Sequence, residues 1–403
     1  MLSLQTDGSN HGKEWDRRGL PAWTYHNREL FDLEISEIFL THWQIAGHVN
    51  DLADPGDYLT FDLANERCAI VRGSDGVLRA FHNLCRHRGS RVVLGDKGQC
   101  KNALVCPFHG WVYNLDGTLR GAARPSTYPV LDKNEFGLRP VELEVWQGLV
   151  FIRFKPGPQP SVASVMQPFD AELAPYRLES MVPTQGVWSN EIAVNWKSVR
   201  DVDNEGYHVA MAHPALQDLY GATYHDIPFE NGLSCAKGPF QPQAGRRWSV
   251  RNYVKFAGGP DWLPRPLNQV WSYYGLFPNA VIIATPESMQ FYQELPLDVQ
   301  RSRVRSISYH QPDESRQQRL ARYLAYRIDR ETYAEDTQLS IWSNESMKSS
   351  AFENFHLSDL ERGLRVHHDR LRGILPVMTL ASPPPATSLA SVNATMKSMQ
   401  AIK

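Results

Sequence analysis

Long hydrophobic runs are missing from this sequence of 403 residues, in which no stretch approaches eighteen consecutive apolar residues. The opening residues, MLSLQTDGSNHGKEWDRR, are polar and lack the apolar segment of a secretory signal. An excess of one charge is also missing, since 42 basic and 44 acidic residues nearly cancel, and this balance carries no signature of nucleic-acid or membrane binding. We therefore expect a soluble, cytoplasmic protein with no nucleic-acid or membrane partner.

Cysteine is scarce, and the five that occur are an odd number without an extracellular context, so a disulfide framework is not expected. Two of them stand in short clips with histidine, Cys85-Arg86-His87 and Cys106-Pro107-Phe108-His109. Thiolate and imidazole at this spacing suit a Cys2His2 zinc site or a Rieske [2Fe-2S] cluster, in which two histidines replace two cysteines on one iron. A third alternative is that the four residues are unrelated.

The residues around the clips favour the cluster over zinc. The clips read NLCRHRGS (83–90) and CPFHGW (106–111), so each ends in glycine and the second contains Pro107. Glycine permits backbone conformations closed to other residues, and proline fixes its own. Such loops can wrap closely around a cluster and direct backbone N–H groups at its sulfides.

A second candidate metal site follows in the segment NWKSVRDVDNEGYHVAMAHPAL (195–216). Glu205 and His208 are three residues apart and would share a helix face. His213 is five residues beyond His208, but it precedes Pro214, and a residue before proline tends to leave the helical region. His213 can therefore turn back toward the metal of His208. Two imidazoles and one carboxylate form the facial triad of a non-heme Fe(II) oxygenase.

The two clips together with this histidine segment resemble the alpha subunits of the ring-hydroxylating oxygenases. By that resemblance Cys85 and Cys106 hold one iron of a Rieske [2Fe-2S] cluster, and His87 and His109 hold the other. The alpha-only branch of the family shows the greatest similarity, in the segments NWK…EGYHVAMAHP and YYGLFPNAVI. That branch includes carnitine monooxygenase, stachydrine and glycine-betaine demethylases and choline monooxygenase. The similarity covers about residues 20 to 375.

The third iron ligand is expected from the helical segment AEDTQLSIWSNESMKS. Family members show an E-D-x-x-L pattern at this distance after the histidine pair, and residues 335–339 match it, which makes Asp336 the candidate. Acidic residues on a helix are more often solvated surface than ligands, so three rivals remain: Asp329, Glu331 and Glu335.

The expected fold class is α+β. Short apolar runs broken by turn residues such as Asp75-Gly76 and Asp116-Gly117 predict a small antiparallel β domain, the Rieske domain, over residues 43–155. An amphipathic N-terminal helical segment (1–42) should pack on the catalytic domain (156–375). The resemblance implies that this domain has the helix-grip (Bet v1/START-like) fold, an antiparallel sheet with helices. The tail, 376–403, contains SPPPATSLASVNAT and is predicted to be disordered.

The resemblance also implies how electrons arrive. Because no G-x-G-x-x-G follows a predicted strand, NAD(P)H would act only indirectly, through a separate flavin/iron-sulfur reductase or a ferredoxin. In a head-to-tail homotrimer the cluster of one subunit serves the mononuclear Fe(II) of its neighbour, where O2 is the co-substrate. Glu205 stands where the bridging carboxylate belongs and would link His109 of a neighbouring chain to His208.

One position departs from the family. Many members carry Glu-Asn where this chain has Asp201-Val202, so an amide near the iron is not secured. Asp201 is therefore a candidate to take over part of that role.

The expected activity is hydroxylation or N-demethylation of a small quaternary ammonium or betaine-like substrate, held by aromatic rings. The chain is rich in aromatic residues between positions 188 and 292, and most of them are expected to be core. The first alternative is an aromatic ring-hydroxylating dioxygenase acting on an aromatic acid. The second is a zinc-stabilised binding protein with no chemistry.

Overall fold

The computed structural model describes residues 15–229, 233–384 and 388–401. Its N-terminal segment contains α1 (Arg28–Glu34), which continues as one π-helical turn over Ile35–Phe39. Asn27 caps α1, because its side-chain oxygen accepts the Leu30 N–H. The fully buried Glu34 carboxylate accepts hydrogen bonds from Trp196 Nε1 at 2.8 Å and from Lys197 Nζ at 2.5 Å. The segment therefore packs on the second half of the chain.

The first half of the chain is an antiparallel β domain. Seven strands form one sheet in the order β1-β10-β9-β4-β3-β2-β5, and β6-β7-β8 form a smaller sheet. The predicted Asp116-Gly117 turn joins β7 to β8, with Gly117 at φ +85°. The strands are β1 (Gln44–His48), β2 (Asp57–Leu63), β3 (Glu66–Arg72), β4 (Leu78–His82), β5 (Lys97–Gln99), β6 (Leu104–Val105), β7 (Val112–Tyr113), β8 (Leu119–Gly121), β9 (Pro140–Trp146) and β10 (Leu149–Arg153).

The second half combines an antiparallel sheet with helices. The sheet order is β11-β18-β17-β16-β15-β14-β13, and β12 also pairs with β18. Its strands are β11 (Val182–Pro183), β12 (Trp188–Ile192), β13 (His225–Pro228), β14 (Leu233–Pro239), β15 (Val270–Leu276), β16 (Ala280–Ala284), β17 (Met289–Asp298) and β18 (Arg301–His310). Its helices are α2 (Val162–Met166), α3 (Asp170–Leu173), α4 (Trp196–Asp203), α5 (Val209–Ala212), α6 (Pro214–Tyr220), α7 (Trp248–Phe256), α8 (Arg316–Ser346) and α9 (Arg362–Ile374). All three sheets are antiparallel and the second half adds helices, so the predicted α+β class is confirmed.

The two faces of the large sheet have different roles, because side chains alternate along each strand. Ile282, Phe291 and Ile307 point to one face and belong to a buried apolar cluster. Residues one position away, such as Ile283 and Tyr292, point to the other face and line a cavity. The helix α8 also lines this cavity, so the cavity lies between the sheet and α8.

The C-terminal tail contradicts the sequence prediction of disorder over 376–403. Residues Pro376–Thr379 form a turn in which all but Thr379 are buried, and α10 (Leu389–Ala401) follows. The backbone N–H of Leu389 donates to Glu29 at 2.6 Å, and Lys397 forms an ion pair with Glu37 at 2.7 Å. Apolar residues at positions 389, 392 and 396 give α10 an apolar stripe that packs into the N-terminal core cluster. The prediction was therefore wrong for 376–379 and for 389–401. Within the described residues, no helix combines the length and the hydrophobicity needed to cross a bilayer.

Candidate active site

The two cysteine–histidine clips form two loops with the same backbone geometry. In the first, the Cys85 N–H donates to the Ser90 carbonyl at 2.7 Å and the Gly89 N–H donates back to Cys85 at 2.9 Å. In the second, the Cys106 N–H donates to the Trp111 carbonyl at 2.8 Å and the glycine at 110 donates back at 3.0 Å. Both glycines have positive φ, +75° at 89 and +67° at 110, which is the conformation the sequence analysis expected of them.

These loops bring the four predicted cluster ligands together. Cys85 and Cys106 are buried, and the imidazole centroids of His87 and His109 are 4.7 Å apart nearer the surface. Tyr113 lies 3.3 Å from the Cys85 sulfur and accepts the backbone N–H of residue 86 at 2.9 Å. Burial raises the pKa of the Cys85 thiol. Two buried sulfurs and two imidazoles on glycine-bounded loops match the donor set of a Rieske [2Fe-2S] cluster.

The two histidines predicted to bind the cluster differ in exposure. His87 stacks on Trp111, with ring centroids 5.2 Å apart, and its Nε2 lies 3.3 Å from the Tyr128 hydroxyl. His109 is exposed, and the ring of its neighbour Phe108 is also largely exposed. The loop that carries His109 therefore presents an accessible imidazole edge at the tip of the β domain.

The second candidate site forms where the chain leaves α4. Glu205 lies in the turn after α4, His208 directly precedes α5, and His213 precedes α6. His213 has φ −115° and ψ 81°, outside the helical region, as its position before Pro214 predicts. Asp336 reaches the same place from the middle of α8.

Three ligand atoms converge at this point. His208 Nε2 lies 2.9 Å from His213 Nε2, and the Asp336 Oδ1 lies 2.9 Å from His213 Nε2 and 3.4 Å from His208 Nε2. Within the described residues, this is the set of three that lies close enough to hold one metal ion. The structure thus brings together the three residues that the sequence analysis selected.

The other nitrogen of each imidazole faces a carboxylate. His208 Nδ1 lies 2.6 Å from Glu205 Oε1, and His213 Nδ1 lies 2.8 Å from Glu335 Oε2. Such contacts place the ring proton on Nδ1 and leave the Nε2 lone pair pointing at the other ligands. Two lone pairs and a carboxylate oxygen that face one another at about 3 Å require a cation or added protons between them. The residues therefore fit a mononuclear metal ion.

The pKa shifts agree with this geometry. Burial lowers the pKa of His208, but hydrogen bonds with Asp336 and Glu205 outweigh it and raise the pKa to about 10. The pKa of His213 is raised in the same way against burial, by Asp336 and then Glu335. Burial raises the pKa of Asp336, yet its contacts with both histidines lower it overall. The protein is thus arranged to hold positive charge where the three atoms meet.

The rivals of Asp336 have other positions. Glu335 contacts the far side of His213, whereas Glu331 lies 3.6 Å from Arg247. Asp329 lines the cavity seven positions before Asp336 on α8, and it accepts a hydrogen bond from Gln290 at 3.0 Å. Among the four acids considered from the sequence, Asp336 alone has an oxygen within 3.5 Å of both histidine Nε2 atoms.

The expectation for Asp201 is not met. Its carboxylate accepts hydrogen bonds from the Tyr25 hydroxyl at 2.5 Å and from His368 Nε2 at 2.9 Å, so it faces the N-terminal segment and α9. Asp203 and Asn204 line the cavity instead. Asp203 forms an ion pair with Arg200 and accepts a hydrogen bond from the Tyr292 hydroxyl. The chain has Val202 where many family members have asparagine. An amide side chain is nevertheless present in the cavity wall, that of Asn204.

The cavity beside the His208–His213–Asp336 cluster is aromatic and acidic. It holds about 190 Å³ and continues into a second compartment of about 420 Å³. Its aromatic wall residues are Trp188, Tyr224, Tyr273, Tyr292, Tyr326 and Tyr333. Of the aromatic residues that the sequence analysis noted between 188 and 292, most pack elsewhere in the core, and Tyr326 and Tyr333 lie outside that range, on α8.

Comparisons with known families now connect the two sites. Residues 42–133 match the Rieske [2Fe-2S] domain, and residues 179–376 match the ring hydroxylating alpha subunit catalytic domain. The chain belongs to the Rieske-type ring-hydroxylating alpha subunits. The predicted resemblance is therefore confirmed, and membership implies a [2Fe-2S] cluster and a mononuclear iron as cofactors.

Curated relatives of this alpha subunit include two monooxygenase components. One is the glycine betaine monooxygenase oxygenase subunit of Pseudomonas aeruginosa, 34% identical over 49% of this chain and 45% of that protein. Another is the carnitine monooxygenase oxygenase subunit of Escherichia coli, 33% identical over 49% of this chain and 53% of that protein. The chain spans about half the length of these curated relatives.

Solved structures agree on the fold of the alpha subunit. The quaternary ammonium Rieske monooxygenase CntA superposes with a TM-score of 0.75 at 23% identity, covering 89% of this chain and 95% of that one. Naphthalene 1,2-dioxygenase from Rhodococcus sp. superposes with a TM-score of 0.70 at 19% identity, covering 91% and 95%. The shared architecture thus extends over both domains and does not itself separate the two substrate classes.

Proposed function

We propose that this alpha subunit is the terminal oxygenase of a Rieske non-heme iron system that hydroxylates or N-demethylates a small quaternary ammonium or betaine-like compound. The observation that carries the proposal is the aromatic and acidic cavity directly beside the His208–His213–Asp336 cluster. The curated relatives act on glycine betaine and carnitine, and a third, from Spinacia oleracea, acts on choline.

Each group of side chains has a separate task in this proposal. Cys85, Cys106, His87 and His109 would hold the cluster, and His208, His213 and Asp336 would hold the iron. When bound, these groups supply single-electron transfer and oxygen activation. Glu205 and Glu335 orient the two iron histidines through their Nδ1 protons.

The cavity favours a cationic substrate over an aromatic acid. Six acidic residues line it, whereas its lining contains one residue that is always cationic, the exposed Arg330. The acids are Asp203, Glu205, Asp226, Glu294, Asp329 and Asp336. An anionic substrate would meet repulsion in this field, while an ammonium group would be attracted by the carboxylates and by the aromatic faces.

We also propose that the working unit is a homotrimer in which electrons pass between subunits. Glu205 binds His208 in its own chain, and the nearby Tyr207 and Met211 are exposed, with 56% and 89% of their surface accessible. His109 and Phe108 are likewise exposed at the tip of the β domain. Docking of that tip on a neighbour's Glu205 turn would cover both apolar surfaces and let Glu205 bridge His109 to His208.

The electrons would come from NAD(P)H through a separate flavin/iron-sulfur reductase or a ferredoxin. None of the cysteines at 68, 85, 100, 106 and 235 forms a disulfide within the described residues, which suits the reducing cytoplasm as the place of action. O2 would be the co-substrate at the iron.

The deciding experiment is a substrate screen of the protein loaded with cluster and iron, using NADH and a surrogate reductase. Substrate-dependent oxygen uptake with release of formaldehyde and a demethylated amine would support the N-demethylase. Formation of a cis-dihydrodiol or a phenol from an aromatic acid would support the ring-hydroxylating dioxygenase instead. Purified protein that holds zinc and neither a brown chromophore nor a rhombic EPR signal on reduction would reject both.

A further inference from the structure

Among the acids of the cavity, Asp329 differs from the rest in its partners. Asp336 and Glu205 contact the histidines, and Asp203 and Glu294 face the buried Arg200. The carboxylate of Asp226 accepts the Gly206 N–H at 2.7 Å and supports the turn that carries Glu205.

Asp329 makes none of these contacts. In the part of the chain that the structure describes, no lysine, arginine or histidine forms an ion pair with it, and its hydrogen-bond donor is the neutral amide of Gln290. An acidic side chain that is largely shielded from water and lacks a cation is costly unless something else supplies the charge.

The position of Gln290 is itself fixed by the sheet. Gln290 pairs with Ser308 across β17 and β18, and the Ser308 hydroxyl donates to the Gln290 Oε1 at 3.2 Å. That contact turns the amide nitrogen toward Asp329, at 3.0 Å. The carboxylate is thus held in one orientation rather than left to move in the cavity.

Asp329 also stands at the junction of the two compartments. It lines both of them, together with Gln290 and Tyr326. Seven residues separate Asp329 from Asp336 on α8, so both face the cavity, about 10 Å apart along the helix axis. A group bound at Asp329 therefore lies in the same cavity as Asp336, His208 and His213.

Aromatic rings surround this position. Tyr326 and Tyr333 precede and follow Asp329 on the cavity face of α8. Tyr273 occupies the same cross-strand row as Gln290, separated from it by Ile283. Trp188 completes the wall and packs edge-on against Tyr333, with centroids 4.8 Å apart. A carboxylate among aromatic faces is the chemistry that binds an ammonium group.

We propose that Asp329 is a specificity-determining residue that binds the cationic nitrogen of the substrate and directs one of its alkyl groups toward the iron ligands. This inference rests on the proposed function and adds to it the residue that recognises the charge. Burial raises the pKa of Asp329 to about 6, against the hydrogen bond from Gln290, so the carboxylate gains from a bound cation at neutral pH.

The test uses two probes of the same shape, choline and its neutral carbon isostere 3,3-dimethylbutan-1-ol. Calorimetric titration of the protein loaded with cluster and iron should show that the wild type prefers choline. Asp329→Asn should weaken choline binding about tenfold or more and leave binding of the alcohol unchanged, because a single charge is removed without a change of shape. Asp329→Glu, which keeps the charge, should retain the preference for choline.

The matched control is Glu331→Gln on the same helix, outside the cavity. It should bind both probes as the wild type does, and the visible spectrum of the cluster should be the same in all variants. Asp329→Asn that keeps the wild-type preference for choline, or that loses both probes equally, would overturn the role of Asp329 and leave the proposed function intact. A wild-type protein that does not prefer choline would instead overturn the cationic substrate class and the inference with it.

Discussion

Glu335 Oε2 lies 2.8 Å from His213 Nδ1, on the side of the ring opposite to the Nε2 that faces Asp336. Two adjacent residues of α8 thus contact opposite nitrogens of the same imidazole. The same arrangement holds on the other histidine, where Glu205 contacts His208 Nδ1. Each histidine of the proposed iron site is therefore oriented by a carboxylate of its own.

Removal of the Glu335 carboxylate should weaken iron binding. Glu335→Ala leaves the His213 ring without the acceptor that fixes its orientation, and we expect a loss of about 10–100-fold in iron affinity. Iron content after dialysis against graded chelator measures the effect. The visible spectrum of the cluster serves as the internal control, because Glu335 is not among the residues expected to hold the cluster. Unchanged iron affinity would show that Glu335 does not orient His213.

Replacement of Glu205 should separate metal binding from electron transfer. Glu205→Gln keeps an oxygen that can accept the His208 Nδ1 proton, so both metal centres should remain filled. The charge that would bridge to a neighbour's cluster is lost, and re-oxidation of the reduced cluster in the presence of substrate and O2 should become much slower. Stopped-flow spectroscopy at the cluster bands measures this rate. A variant that turns over at the wild-type rate would remove Glu205 from the electron path.

Iron removal should give the protein a stability that depends on pH in a defined direction. In the iron-free protein the pKa of His208 is about 10, compared with 6.5 as its ordinary value, so the folded state holds this proton more tightly. Its contribution is fully present below about pH 6.5 and is lost as the pH rises toward 10. Melting temperatures of iron-free protein from pH 6 to 10 should fall relative to those of a His208→Ala variant. A parallel fall in both proteins would contradict this assignment.

The buried ion pair of Lys197 and Glu34 should be expensive to break. Neither side chain is exposed, so Lys197→Met leaves a buried carboxylate without its cation and should cost about 3–5 kcal/mol of unfolding free energy. The double variant with Glu34→Gln should recover part of that loss. Chemical denaturation measures both. Arg28→Ala, which breaks the exposed pair with Asp298, should cost less than about 1 kcal/mol.

The C-terminal helix should contribute measurably to stability. Leu389 is 2% exposed and packs into the N-terminal core, so Leu389→Ala should cost about 2–5 kcal/mol. Met399 lies on the same helix but is 63% exposed, and Met399→Ala should have little effect. Thermal unfolding of the two variants compares them directly. Equal melting temperatures would indicate that α10 does not pack as described.

The cluster loops and the histidine pair could be predicted because their chemistry is local in sequence. Two clips of three and four residues and one proline after His213 carry most of the information. Asp336 required a family pattern, since the sequence alone does not reveal the rotation of α8 about its axis. For the same reason the contact of Glu335 with His213 could not be anticipated from two adjacent acids.

The misassigned positions have physical explanations. Asp201 and Asp203 are two residues apart on α4, which places them about 200° apart around the helix, so only one of them can face the cavity. In the tail, the proline- and serine-rich composition predicted disorder, although Leu389, Val392 and Met396 have helical spacing. These three apolar residues pack into the N-terminal core with α1. The partner surface, not the composition, decides whether such a segment folds.

The helix α8 runs without interruption from Arg316 to Ser346 and carries both Asp336, the proposed iron ligand, and a long wall of the cavity. Positions 326, 329, 330 and 333 can therefore be exchanged for other side chains while Asp336, at least three residues further on, keeps its place beside the histidines. Mutation of this one helix could therefore change the substrate range of the protein. One part of α8 would alter substrate recognition, and the next part would keep the proposed metal site unchanged.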